Sequence, residues 1–244
     1  DLSTPMLTAQ AAGAGVIVAA DEIRTPLNTR VLSLDISATN GSIFVANDIA
    51  MILAGLSGSG GATVTAEGAM TIGDINMSGT GLVSLIAPTF LGGAGQVQAG
   101  QLSINATTGA IGDNAPVSLT MTSSTDLLLN AAGDIDLAVT GADLSFGALD
   151  AGGDVKLSAL TGKIIGERIN ADTVTLFAAT GIGSTGQPVG IDARRFSATT
   201  AVGDIFLKAL QADAFADVIE AGGTGGVTLT SDGKVTLAAN GRLQ

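Results

Sequence analysis

The chain has 244 residues with 35 Gly, 46% hydrophobic and only 3% aromatic residues, and it contains no Cys, His, Trp or Tyr. Its 22 acids against 10 bases leave a formal charge of −12, which speaks against nucleic-acid binding, where a basic stripe is needed, and offers nothing to an anionic membrane surface. Disulfides are excluded, and the scarcity of Glu, Lys, Gln and Arg disfavours a helical repeat, whereas small residues in this number suit a narrow solenoid with room for few rings.

Residues 1–30 are the least regular. Pro5 and Pro26 bracket an apolar patch, Val16-Ile17-Val18, which is followed by Asp21-Glu22-Ile23-Arg24. This stretch is expected to be a cap or an atypical first coil, because the open end of a solenoid needs covering. The apolar run over 11–20 is too short to cross a bilayer, so no membrane insertion is expected. With Asp1 in first place and no cleavable signal ahead of it, the chain reads as a mature or excised segment.

From Val31 a template appears: apolar-x-apolar-x-Ala-x-x-Gly-x-Ile. It fits Leu34, Ile36, Ala38, Gly41 and Ile43, then Leu102, Ile104, Ala106, Gly109 and Ile111, then Val155, Leu157, Ala159, Gly162 and Ile164. Val174, Leu176, Ala178 and Gly181 carry a shortened copy. Alternation at period two means a strand with one buried face, and Gly takes the turn. The clearest stretch is 129–164, where Gly133-Asp134-Ile135-Asp136-Leu137 returns as Gly153-Asp154-Val155-Lys156-Leu157. A strand phrase recurring about every twenty residues, with no helical pattern between copies, reads as a β-solenoid coil. The central apolar position runs through Val64, Leu85, Ile104, Leu137, Leu157, Leu176 and Phe196. The irregular step from 104 to 137 is read as two shortened coils through Met121. One solenoid over residues 31–244, with coils of about 19–21 residues, is predicted.

The Gly-rich segments 54–61 (AGLSGSGG) and 91–100 (LGGAGQVQAG) read as loops between strands. Residues 212–220 are the most helical-looking stretch. The last coil, 227–243, keeps the strand pattern and shows only Arg242 as a charged guard, unlike the start with Pro5, Asp21, Glu22 and Arg24. Unlike ends favour head-to-tail contact between copies.

Candidate chemistry is sparse. Gly181-Ile182-Gly183-Ser184-Thr185-Gly186 spells the dinucleotide fingerprint, but Gln187-Pro188-Val189-Gly190-Ile191 follows where a helix is required. Gly92-Gly93-Ala94-Gly95-Gln96-Val97 and Gly222-Gly223-Thr224-Gly225-Gly226-Val227 lack the Asp of a calcium-binding roll. The pairs Thr63/Thr65, Thr120/Thr122, Thr173/Thr175 and Thr228/Thr230 are too widely separated for a flat array. Asp134, Asp136 and Asp154 could share a face, as the carboxylates of a β-helix polysaccharide lyase or hydrolase do, yet Gly-Asp is also the turn chemistry of the repeat. The sequons at Asn40, Asn76 and Asn105 are expected by chance in such a chain. Arg194-Arg195 is odd, because Arg194 falls on a position that is apolar elsewhere; a bulge is expected to release it. No catalytic, cofactor-binding or metal-ligating residue is therefore assigned.

Several phrases resemble the filamentous-haemagglutinin-like family of bacterial exoproteins, many of them exported by two-partner secretion. They are Asn130-Ala131-Ala132-Gly133-Asp134-Ile135, Gly152-Gly153-Asp154-Val155, Ala106-Thr107-Thr108-Gly109-Ala110-Ile111-Gly112, and the run from Ala179 through Thr180, Gly181, Ile182 and Gly183 to Gln187-Pro188-Val189. The resemblance implies a right-handed parallel β-helix at the bacterial cell surface: a non-enzymatic adhesin, stalk or filament segment. Its partners would be host or cell-surface glycans or proteins, or further copies end to end. A self-assembling filament subunit and a polysaccharide lyase or hydrolase are the alternatives.

Overall fold

The two copies of the Gly-Asp phrase become two parallel strands in register, with Ile135 beside Val155, Leu137 beside Leu157 and Val139 beside Ala159. All six side chains are buried. Side chains on one face of a pleat point the same way, so stacking identical alternations joins their apolar faces into one wall.

The computed structural model describes residues 8–10, 16–20, 27–38 and 42–243. In chain order the strands are β1 (Thr8–Gln10), β2 (Val16–Ala20), β3 (Leu27–Arg30), β4 (Ser33–Ala38), β5 (Ile43–Asn47), β6 (Met51–Gly58), β7 (Ala62–Ala66), β8 (Met70–Met77), β9 (Leu82–Ala87), β10 (Phe90–Gln98), β11 (Gln101–Ala106) and β12 (Ile111–Met121). They continue as β13 (Asp126–Ala131), β14 (Ile135–Thr140), β15 (Leu144–Ala151), β16 (Val155–Ala159), β17 (Ile164–Asn170), β18 (Thr173–Ala178), β19 (Val189–Asp192), β20 (Arg195–Thr200), β21 (Ile205–Ala209), β22 (Asp213–Ala221), β23 (Val227–Ser231) and β24 (Lys234–Leu243). Odd-numbered strands form one 12-stranded parallel sheet and even-numbered strands the other. Each turn of the chain adds one strand to each sheet, which is a parallel β-solenoid, and the described residues include no helix. Of residues 1–30, β1, β2 and β3 join these sheets; residues 1–7, 11–15 and 21–26, including Pro5, Pro26 and Asp21 to Arg24, lie outside the described ones, as does Gly41 of the template.

The template marks half a turn. Leu34, Ile36 and Ala38 belong to β4 and Ile43 to β5, whereas Leu102, Ile104 and Ala106 belong to β11 and Ile111 to β12. It therefore occurs on both sheets, describing a strand end, a corner and the next strand's first inward residue. This corrects the reading of the irregular step. Val64, Leu85 and Ile104 stack on the odd sheet, and Leu137, Leu157 and Leu176 on the even one. Between residues 104 and 137 the series changes sheet: Ile104 pairs with Leu129, and Leu137 with Val117. Met121 ends β12 against Val97 and marks no shortened coil. Phe196 likewise stacks on Val174, while Ala198 is the partner of Leu176.

The Gly-rich segments expected as loops lie mainly inside strands. Residues 51–58 form β6 and residues 90–98 form β10. These strands bend, and the extra length grows along the column. Thr71 to Ile75 of β8 matches Leu91 to Val97 of β10, and β12 bulges again between Ile111 and Val117. Glycine is needed at the bend because backbones touch there: a Cβ on Gly95 would lie 2.0 Å from the Gly73 carbonyl oxygen.

The helical-looking stretch is β22. It pairs with β20 and β24, and its alternation slips where Asp217 and Val218 both fall between Ala216 and the next inward residue, Ile219. That slip breaks period two and, in an Ala-rich segment, imitates a helix; pairing on both edges overrides the propensity.

The core is one continuous column of Val, Ile, Leu, Met and Ala, with Phe90, Phe146 and Phe196 as its buried rings. Phe146 fits because its register partner in the next turn is Gly166, where a Cβ would sit 2.2 Å from the ring. The few buried polar side chains are paired. Asn47 Oδ1 accepts from Thr29 Oγ1 and Val31 N–H, and its Nδ2 donates to the carbonyls of Val31 and Ile49, tying one corner to the turn before it. Such full pairing removes the cost of burying an amide.

Candidate binding surface

Because the core consumes the inward positions, any site must be built from outward side chains and corners. Several outward acids are tethers between turns. Asp134 Oδ1 accepts the Asp154 N–H at 2.8 Å, Asp143 Oδ1 the Lys163 N–H at 2.8 Å, Asp204 Oδ1 the Gly226 N–H at 2.7 Å and Asp74 Oδ1 the Gln96 N–H at 2.8 Å. Each carboxylate thus satisfies a backbone donor one turn further on, the first three at corners and Asp74 at the bend within β8 and β10.

On the strands, opposite charges meet across the ladder. Lys156 Nζ lies 3.1 Å from Asp136, its register partner. Arg168 reaches Asp150 at 3.5 Å on one side and Asp192 at 3.8 Å on the other. Lys208 pairs with Asp232 at 3.0 Å. These pairs are solvent-exposed, so each contributes little alone. Asn130, Asp150, Asn170 and Asp192 form one outward row, where Asn170 donates to Asp150 and Gln211 to Asp192.

Of Asp134, Asp136 and Asp154, the first caps the Asp154 N–H and the second holds Lys156. Gly181 to Gly186 forms a turn closed by Ser184 and Gln187, and β19, a strand, comes after it, so the pyrophosphate-binding helix is replaced by sheet. Among the described residues no group of three His, Cys, Asp or Glu side chains is placed to hold a metal. The threonine pairs face outward and divide between sheets: Thr63, Thr65, Thr228 and Thr230 on the odd one, Thr120, Thr173 and Thr175 on the even one. Asn76 is exposed on β8 and Asn105 half-buried on β11; Asn40 lies outside the described residues.

Arg194 is released, but not by a bulge. It occupies the bend between β19 and β20, exposed, while Ala193 takes the buried place before it. Arg195 opens β20 and clasps Asp217 with both Nε and Nη2. Phe215, opposite Arg195 in the β20–β22 register, lines a surface recess of about 340 Å³ together with the two arginines. Phe215 and Asp217 were missed in the sequence because residues 212–220 read as helical; as a strand, Asp213, Phe215 and Asp217 alternate outward.

Compared with protein-family models, with curated proteins and with solved structures, the chain matches none.

Proposed function

We propose that this chain is a non-enzymatic structural and adhesive segment of a bacterial surface exoprotein, a β-helical stalk or filament piece working outside the cell. The observation that carries this reading is the use made of the outward carboxylates. Asp134, Asp143 and Asp204 are engaged with backbone N–H groups of the following turn, Asp136 and Asp150 with its cations, and Asp192 with Arg168 of the turn before. A hydrolase needs carboxylates poised on a substrate; here they hold one turn to the next. The phrases shared with haemagglutinin-like exoproteins support the same reading. The right-handed sense is supported by the strong preference of parallel crossovers for that hand. The regular outer rows of Ser, Thr, Asn and Asp offer hydrogen-bonding groups to glycans or proteins of a host or neighbouring cell.

The test has two arms. Chain fixed to a surface is expected to retain host cells or isolated surface glycoproteins above an inert protein control. Incubated with a panel of acidic polysaccharides, it is expected to release no new chain ends. Cleavage of any of them that disappears with Asp136→Ala or Asp154→Ala would replace this reading with that of a lyase or hydrolase.

A further inference from the structure

The recess beside Arg194 is explained neither by the core nor by the tethers between turns. It measures about 340 Å³ and is lined by Arg194, Arg195 and Phe215, within the size range of small-molecule sites. Its frame is backbone: Arg195 faces Phe215 across the β20–β22 ladder, and the Phe215 N–H donates to the Arg194 carbonyl at 2.9 Å. Its two cations differ in what they have left to offer. Arg195 is committed to Asp217 through two hydrogen bonds. Arg194 is exposed and has no side-chain partner among the described residues, so its guanidinium fork is open. Phe215 is half-buried and lines the recess.

We propose that this recess holds a small monocarboxylate with a flat apolar body, its carboxylate on Arg194 and its body against Phe215. A guanidinium presents two parallel N–H groups that match a carboxylate, and an aromatic side chain offers a flat apolar contact. Single charge and small size follow from the electrostatics. Asp217 neutralises one of the two arginines, exposed Asp213 stands at the start of the same strand, and the chain carries a charge of −12. Lys234 stands beside Asp213 in the next turn, so it is the net negative charge of the chain as a whole that disfavours a polyanion. This site does not depend on the structural and adhesive reading, since its occupancy is measured on the isolated chain.

Isothermal titration of the whole chain with benzoate, benzamide, acetate and inorganic phosphate tests it. Benzoate is expected to bind with a dissociation constant on the order of 1 mM. Benzamide lacks the charge and acetate the ring; these and phosphate should bind roughly tenfold more weakly or worse. Arg194→Gln should weaken benzoate by roughly tenfold and Phe215→Leu by a few-fold. Asp217→Asn should tighten it, because Arg195 is then freed to share the carboxylate. Circular dichroism confirms that each variant keeps its strands. Equal binding of benzamide and benzoate, indifference to Arg194→Gln, or no measurable benzoate binding would each overturn the proposal.

Discussion

At the scale of single residues, the Gly-Asp phrase joins two requirements from neighbouring turns. Asp134 Oδ1 takes the Asp154 N–H, and the same oxygen lies 2.0 Å from where a Cβ on Gly153 would be. Gly153 thus makes room for the acid of the previous turn. Asp143 and Gly162 repeat the arrangement, with 2.6 Å between the carboxylate oxygen and the missing Cβ. Asp134→Ala should therefore lower stability by about 1 kcal/mol or less, since the freed N–H is at an exposed corner where water can reach it. Gly153→Ala should cost more, about 1–3 kcal/mol, because the cap must be expelled and the corner shifted. The two changes touch one contact, so they should not add: in the Asp134→Ala background the cost of Gly153→Ala should shrink by at least about 0.5 kcal/mol. Urea midpoints of the four chains measure this. Strict additivity would mean that the close approach plays no part.

At the scale of elements, the strands with plain alternation were legible in the sequence, and the ones that bend were not. β14 and β16 announce themselves through Ile135, Leu137, Val155 and Leu157, whose partners lie directly beside them. β6 and β10 were hidden because glycine has two uses, in turns and where backbones crowd, and composition does not separate them. β22 was hidden by one slip in register at Asp217 and Val218, and with it went Phe215 and half of the arginine recess. The half-turn template was visible, but its phase was not, because both sheets use the same apolar and Ala positions. The bend itself makes a prediction. Gly95 is buried, and any side chain there meets the backbone of Gly73, which cannot rotate away. Gly95→Val should open the ladder between β8 and β10 and cost about 1–3 kcal/mol or more. Hydrogen exchange should quicken in β8, β10 and β12 while β16, β18 and β20 keep their protection, because coupling in a solenoid passes mainly between adjacent turns. Uniform loss of protection along the chain would contradict that locality.

At the scale of the whole molecule, the fold is a stack in which each turn meets its neighbours through the same two ladders, so a complete turn is an exchangeable unit. The turn formed by β15 and β16 is the best place to test this. Leu144 is the register partner of Ile164. Removing residues 144–163 joins Asp143 to Ile164, one inward residue replacing another at the same corner. β17 then meets β13, and β18 meets β14 with Val174, Leu176 and Ala178 against Ile135, Leu137 and Val139, the positions that Val155, Leu157 and Ala159 held. Two losses are expected: Asp143 gives up the Lys163 N–H, and Phe146 leaves with the turn so that Leu127 takes its place over Gly166, leaving a void worth a few kcal/mol at most. The shortened chain should keep a strand-dominated circular dichroism spectrum and a cooperative urea transition with a lowered midpoint. Removing residues 144–154 instead deletes β15 alone. That change sends every following strand to the opposite sheet, where corner lengths and bends no longer match those above, and the product should fail to form a cooperative fold. If the half-turn deletion folds as well as the full-turn deletion, the two sheets are interchangeable and the turn is not the unit of this architecture.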